Sequence, residues 1–166
     1  MSAAARKVCM LGDFGVGKTS LVARFVRSTF SAKYLTTVGV KVDSKVVEAP
    51  GREALKLVLW DIAGRGALDE LGSSYLRGAS GLLLVADGTR EASLGAALNL
   101  LMQSRSLLPD AEVVLAVNKL DLVERWEVAP DTLVELRRNL PVIETSALSG
   151  AGVEAAFAEL ARRLTR

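Results

Sequence analysis

Short apolar runs alternate along this chain with segments whose apolar positions recur every three or four residues. Buried strands give the first pattern, and helices that lay one face on a sheet give the second. Their alternation predicts an α/β domain with a mostly parallel sheet. Lys7–Leu11 reads as a strand running into a glycine-rich turn, and Lys18–Arg27 opens as a helix. Val38, Val40 and Val42 alternate with Gly39 and Lys41, as Leu55, Leu57 and Leu59 do with Lys56 and Val58. These two segments predict an antiparallel hairpin turning around Pro50–Gly51. Leu82–Ala86, Val113–Val117 and Val142–Glu144 complete a six-stranded sheet with one antiparallel strand. Helices are expected near Leu68–Arg77, Glu91–Leu107 and Pro130–Asn139. In the last helix Val153, Ala156, Phe157, Leu160 and Leu164 share one face, with Glu154, Glu159 and Arg163 turned outward. That makes about five helices, in a single domain over residues 1–166.

Composition narrows the picture. With 166 residues, half of them hydrophobic, the chain can bury a substantial core. A net charge of +2 gives no basic face for nucleic acid, and the pairs Arg137–Arg138 and Arg162–Arg163 read as solvated surface. The lone Cys9 lies in an apolar run and cannot form an internal disulfide. It reads as a small buried hydrophobe, compatible with a reducing, cytoplasmic compartment. No apolar stretch approaches the roughly 20 residues of a membrane span, and Met1–Arg6 has no signal-peptide core. Histidine is absent, so any chemistry proceeds without an imidazole base.

Two motifs carry the candidate chemistry. Gly12-Asp13-Phe14-Gly15-Val16-Gly17-Lys18-Thr19 fits G-x-x-x-x-G-K-[ST] between a strand and a helix. Glycines let the backbone N–H groups close around phosphates, and the following helix aims its positive end at the same anion. Asp13, Phe14, Gly15, Val16, Gly17, Lys18, Thr19 and Ser20 are therefore candidate phosphate contacts. Lys18 supplies a mobile charge to the terminal phosphates, and the Thr19 hydroxyl is a ligand for Mg²⁺. Further on, Asn118-Lys119-Leu120-Asp121 fits N-K-x-D after a buried strand, which resembles the guanine-recognition motif of GTPases. One carboxylate, Asp121, can accept both the ring N–H and the exocyclic amine of guanine, whereas adenine would leave it unpaired. Asn118 would tether neighbouring loops, and the Lys119 stem would cover one face of the base. Glu144-Thr145-Ser146-Ala147 resembles the last base-contacting loop, with Ser146, Ala147 and Leu148 at the base.

In this order the motifs resemble the Ras superfamily of small GTPases, nearest its Rab branch, from Lys7 to Leu164. The resemblance implies the P-loop small G-protein fold, GTP and GDP as ligands, and Mg²⁺. Phe30 and Tyr34-Leu35-Thr36-Thr37-Val38-Gly39-Val40 look like the first switch, and Trp60-Asp61-Ile62-Ala63-Gly64 like the second. By that likeness Thr37 joins Thr19 and Asp61 at the metal, Phe30 packs on guanine, and Lys18, Thr37, Gly64 and Arg65 surround the γ-phosphate. Effector, exchange-factor and activating proteins would meet Thr37–Val42 and Arg65–Arg77. No lipid anchor is expected within this chain, because the closing Arg162–Arg166 carries no cysteine and Met1-Ser2 does not fit myristoylation.

Three positions depart from the family pattern. Arg65 stands where a glutamine normally orients the attacking water, bulky Phe14 lies in the phosphate loop, and Leu148 replaces a lysine. A guanidinium cannot act as a general base. Three readings stay open: slow hydrolysis, an internal charge donor, or a solvent-facing residue whose role a partner fills. A non-hydrolysing GTP-binding adaptor is the alternative function. A P-loop kinase or ATPase would leave Asp121 without a role.

Overall fold

The computed structural model describes residues 3–30, 39–48, 51–63 and 70–165. Twelve segments of regular structure follow one another, six strands, five α-helices and a 3₁₀ turn: β1 (Ala4–Leu11), α1 (Lys18–Arg27), β2 (Val40–Val47), β3 (Leu55–Ile62), α2 (Glu70–Leu76), β4 (Gly81–Asp87), α3 (Glu91–Arg105), β5 (Glu112–Asn118), the 3₁₀ turn Leu120–Arg125, α4 (Pro130–Leu136), β6 (Val142–Glu144) and α5 (Val153–Leu164). The sheet order is β2-β3-β1-β4-β5-β6. Among the described residues only β2 runs antiparallel, paired with β3 from Val40↔Ile62 to Val47↔Leu55; the other pairings are parallel. The mostly parallel sheet with one antiparallel strand is thus as the sequence pattern predicts.

Strand periodicity divides the core in two. Val8 and Met10 of β1, Leu83 and Val85 of β4, and Val114 and Ala116 of β5 point to one face, where α1 and α5 cover them. Cys9 and Leu11, Leu82 and Leu84, and Val113 and Leu115 point to the other face, beneath α2, α3 and α4. Because both faces are covered, β4 is buried at all seven positions, and it reads as a continuous apolar run rather than an alternating one. On the first face Phe25 of α1 stacks on Phe157 of α5, ring centroids 3.9 Å apart and planes 7° from parallel.

Several boundaries differ from expectation. The α4 helix stops at Leu136 rather than Asn139, because Arg138 and Asn139 donate to carbonyls three residues back and the chain then enters Leu140-Pro141, where a helix is disfavoured. On α5 the buried stripe includes Ala161, and Leu164 is only partly buried. Of the residues expected to face outward, Glu154 is exposed. Glu159 and Arg163 are half-buried, bonded to each other at 3.0 Å, and Arg163 also lies 3.6 Å from Glu112. Residues 68 and 69 of the expected second helix lie outside the described residues. Among the described residues no helix is long and apolar enough to cross a membrane.

The parallel strands deliver their carboxyl ends to one edge of the domain. Gly12 follows β1, Asp61 lies near the end of β3, Asp87 ends β4, Asn118 ends β5 and Glu144 ends β6. In register, Met10 faces Asp61, Asp87 faces Asn118 and Val117 faces Glu144. The chain reverses its winding direction at β1, and such a switch point is where open α/β sheets bind ligands.

Candidate nucleotide-binding site

The loop between β1 and α1 is built on glycines for two separate reasons. Gly17 has φ 102°, a left-handed conformation that a side chain disfavours, and a Cβ there would overlap the Asn118 amide. At Gly12 a Cβ would overlap the Val85 carbonyl oxygen. The backbone therefore lies against β4 and β5 as closely as backbone can. Asp13 Oδ1 accepts from the Phe14 N–H at 2.8 Å, and Val16 is buried beneath the loop. Lys18 is 7% exposed, and its Nζ donates to the Gly12 carbonyl at 3.2 Å across the loop. Burial pushes the Lys18 ammonium below its ordinary value, against the opposing charges of Asp61 and Asp13. An anion at this loop would restore the charge partner that burial makes desirable.

At the next residue, the Thr19 hydroxyl donates to Asp61 Oδ2 at 2.5 Å, with Asp61 itself buried. A hydroxyl and a carboxylate side by side are hard oxygen donors of the type magnesium takes. Among the described residues no three His, Cys, Asp or Glu side chains gather as a metal cage. The donor set fits a magnesium ion held by one carboxylate and one hydroxyl and completed by phosphate oxygens and water.

Asn118 joins the motifs. Its buried amide donates to the Val16 carbonyl at 3.0 Å, and its Oδ1 accepts from Thr145 Oγ1 at 3.0 Å and from the Ala147 N–H at 3.3 Å. One side chain thus ties the phosphate loop to the loop after β6. Lys119 leaves β5 in the left-handed region, φ 71°, and reaches back so that Nζ donates to Gly15 O at 3.1 Å and pairs with Asp87 at 2.9 Å. Asp121 is exposed, and its Oδ1 accepts from Ser146 Oγ at 2.7 Å. Ser146 also accepts from the Ser149 N–H, which shapes the last loop.

The residues from Asp13 to Ser20 therefore converge with Asp61, Asn118, Lys119, Asp121, Ser146 and Ala147 at one end of the sheet. Phe14 and Leu148 stand half-exposed at its margin, and Phe30 is exposed beyond the left-handed Ser28 cap of α1. Thr37, Gly64 and Arg65 lie outside the described residues, as do residues 37–38 and 65–69 of the two segments expected to meet partners.

Three supporting side chains had no sequence signal. Arg24 of α1 donates to Ala147 O at 2.8 Å and to Leu148 O at 2.6 Å, closing the last loop from the opposite side. Arg90 donates to the Phe14 carbonyl at 2.8 Å and lies 3.3 Å from Asp87 and 3.7 Å from Asp13. Burial pushes the Asp87 carboxyl up, but hydrogen bonds from Thr89 and Lys119 and the Lys119 charge outweigh it and hold the group below its ordinary value.

A doubly wound sheet with a glycine-built phosphate loop at its switch point, a threonine–aspartate oxygen pair beside it and an Asn-Lys-x-Asp loop across from it defines the P-loop nucleotide-binding class. The Ras family model matches residues 7–166. The chain is 37% identical over 164 residues to the Ras-related protein Rab-4 of Dictyostelium discoideum, covering 95% of this chain and 78% of that one. It is 35% identical over 161 residues to the GTP-binding protein YPT1 of Saccharomyces cerevisiae, with 95% and 78% covered, and 34% identical over 159 residues to human Ras-related protein Rab-8B, with 94% and 76% covered. The chain belongs to the Ras family of small GTPases.

Proposed function

We propose that this protein is a GTP/GDP switch that holds its nucleotide with Mg²⁺ and hydrolyses GTP slowly or atypically, because Arg65 occupies the position of the water-orienting glutamine. The Asn118 node is the observation that carries the nucleotide assignment. A single buried amide is bonded to the phosphate loop on one side and the Thr145–Ala147 loop on the other, so phosphate and base sites are built as one unit. In this reading Lys18 and the loop amides of residues 13–20 hold the phosphates. Asp121 accepts the two guanine hydrogens, the Lys119 stem, Phe30 and Leu148 flank the base, and the Ala147 amide meets its carbonyl. Thr19, Thr37 and Asp61 hold the magnesium, which supplies charge neutralisation at the β- and γ-phosphates. Gly64 and Arg65 lie at the γ-phosphate. Regulators and effectors meet Thr37–Val42 and Arg65–Arg77, and the buried lone thiol Cys9 accords with a reducing, cytoplasmic setting.

Base selectivity tests the assignment directly. Asp121→Asn should weaken GDP binding by about 10⁴-fold, since the amide meets the guanine amine donor to donor. The same change should admit xanthosine diphosphate, whose carbonyl replaces that amine. An unchanged preference, measured by competition against a fluorescent nucleotide, would overturn the role given to Asp121 in reading the base.

A second reading, GTP as the structural ligand of an adaptor, is favoured by Phe14, whose half-exposed ring stands in the phosphate loop. Single-turnover hydrolysis by the parent and by Arg65→Gln separates the cases. A nearly silent parent with a gain of about tenfold or more in the variant identifies a persistently loaded switch. Rapid hydrolysis by the parent that the variant loses makes Arg65 itself catalytic and excludes the adaptor.

A further inference from the structure

The Asn-Lys-x-Asp loop depends on Lys119, a residue in a backbone conformation that costs a β-carbon-bearing side chain free energy. Something must hold it there. Its carbonyl accepts from the Leu122 N–H at 2.8 Å within the turn, and from the indole Nε1–H of Trp126, also at 2.8 Å. The Trp126 ring in turn lies directly on Gly88, where a Cβ would overlap three of its atoms. That contact is closed on both sides by backbone: Gly88 N–H donates to Asn118 O at 3.0 Å, and Gly88 O accepts from Glu127 N–H at 2.9 Å and Val128 N–H at 3.2 Å. Glu127 Oε1 accepts from the Glu91 N–H at the start of α3. Residues 126–128 are therefore zipped onto residues 88–91, with the indole clamped between that zipper and the Lys119 peptide.

We infer that Trp126 is a positioning residue for the nucleotide site, fixing the Lys119 peptide so that its side chain stays over the phosphate loop and sets how long the nucleotide remains bound. The inference rests on the guanine-nucleotide reading of the site and adds to it a residue outside the motif. Its chemistry is a single neutral hydrogen bond, made in a half-buried position where the indole presents its apolar ring to Gly88 and its N–H to the carbonyl. Lys119 is tied at four points: the carbonyl to Trp126 and to the Leu122 N–H, and Nζ to both Gly15 O and Asp87. Releasing the first lets the peptide relax out of the left-handed region, which withdraws the ammonium from Gly15 and opens the phosphate loop toward solvent.

Dissociation of a fluorescent GDP from the Mg²⁺-loaded protein, chased with excess GDP, tests this. Trp126→Phe keeps an aromatic ring at the position and removes the N–H donor together with the pyrrole part of the indole that lies on Gly88. It should speed release by about tenfold in the parent background, as the upper range for one neutral hydrogen bond allows. In a Lys119→Met background the same substitution should change the rate by less than about twofold, because the residue through which it acts is already gone. Gly88→Ala, which displaces the ring while leaving its N–H intact, should reproduce the acceleration and serves if Trp126→Phe fails to fold. Release at the parental rate in Trp126→Phe overturns the inference, and so do effects that multiply in the double variant, since a general loosening of the fold would add independently of Lys119. A parent that binds no GDP overturns the nucleotide reading itself; a parent that binds GDP tightly while Trp126→Phe is silent overturns only the role of Trp126.

Discussion

Asp87 ends β4 almost fully buried, and it holds both Lys119 and Arg90. Its folded-state carboxyl lies below the ordinary 3.8 because the bonds from Thr89 and Lys119 outweigh the cost of burial. A depressed carboxylate contributes stability that is fully present above the unfolded value and disappears as pH falls through the folded one. The difference in unfolding free energy between the parent and Asp87→Asn should therefore be flat above about pH 5 and shrink below 3.8. Its size at neutral pH should be about 1–3 kcal/mol, reduced from that of a fully buried pair because Lys119 is a third exposed. Urea unfolding at a series of pH values, with nucleotide held in constant excess, reads this out; a difference that grows toward low pH would contradict the assignment.

At the scale of elements, α1 and α5 are held to the sheet and to each other through the stacked Phe25 and Phe157. Both rings are about 1% exposed. Truncating either leaves a cavity that a packed interior cannot refill. Phe157→Ala should cost about 3–5 kcal/mol in urea unfolding at fixed nucleotide, as large-to-small changes in cores do. A cost under about 1 kcal/mol would mean that the two helices repack around the gap. Most elements were legible from the pattern. The α1 start at Lys18, the antiparallel β2–β3 pairing and the three-residue β6 all follow their periodicity, while Pro50 of the expected turn lies outside the described residues. Helix ends were less legible, and the reason is physical: Arg137–Asn139 continue an apolar-compatible pattern, but the proximity of Pro141 and the tightening of the last turn decide where hydrogen bonding stops. Glu159 and Arg163 were read as outward because they are charged. They are half-buried and pair with each other, and Arg163 also pairs with Glu112 from the neighbouring strand, which no helical period reveals.

For the molecule as a whole, the sequence alone determined the sheet class and the phosphate loop. It also determined the Asn-Lys-x-Asp loop and the arrival of these motifs at strand ends in the order a Ras-family protein requires. These features are contiguous: each is a few adjacent residues whose backbone demands or functional groups cannot be met by other residue types. What only the tertiary structure decided is the frame behind them. Arg24, Asp87, Arg90 and Trp126 are ordinary single residues in sequence, and Gly88 reads as one more glycine in a turn. Each acquires a role solely because parallel strands bring loops distant in sequence to one edge of a sheet. There Arg24 meets carbonyls 123 and 124 residues away, and Arg90 reaches a carbonyl 76 residues back. Local pattern specifies groups that act alone, whereas partnership across the sheet edge depends on distances that exist only once the chain has folded.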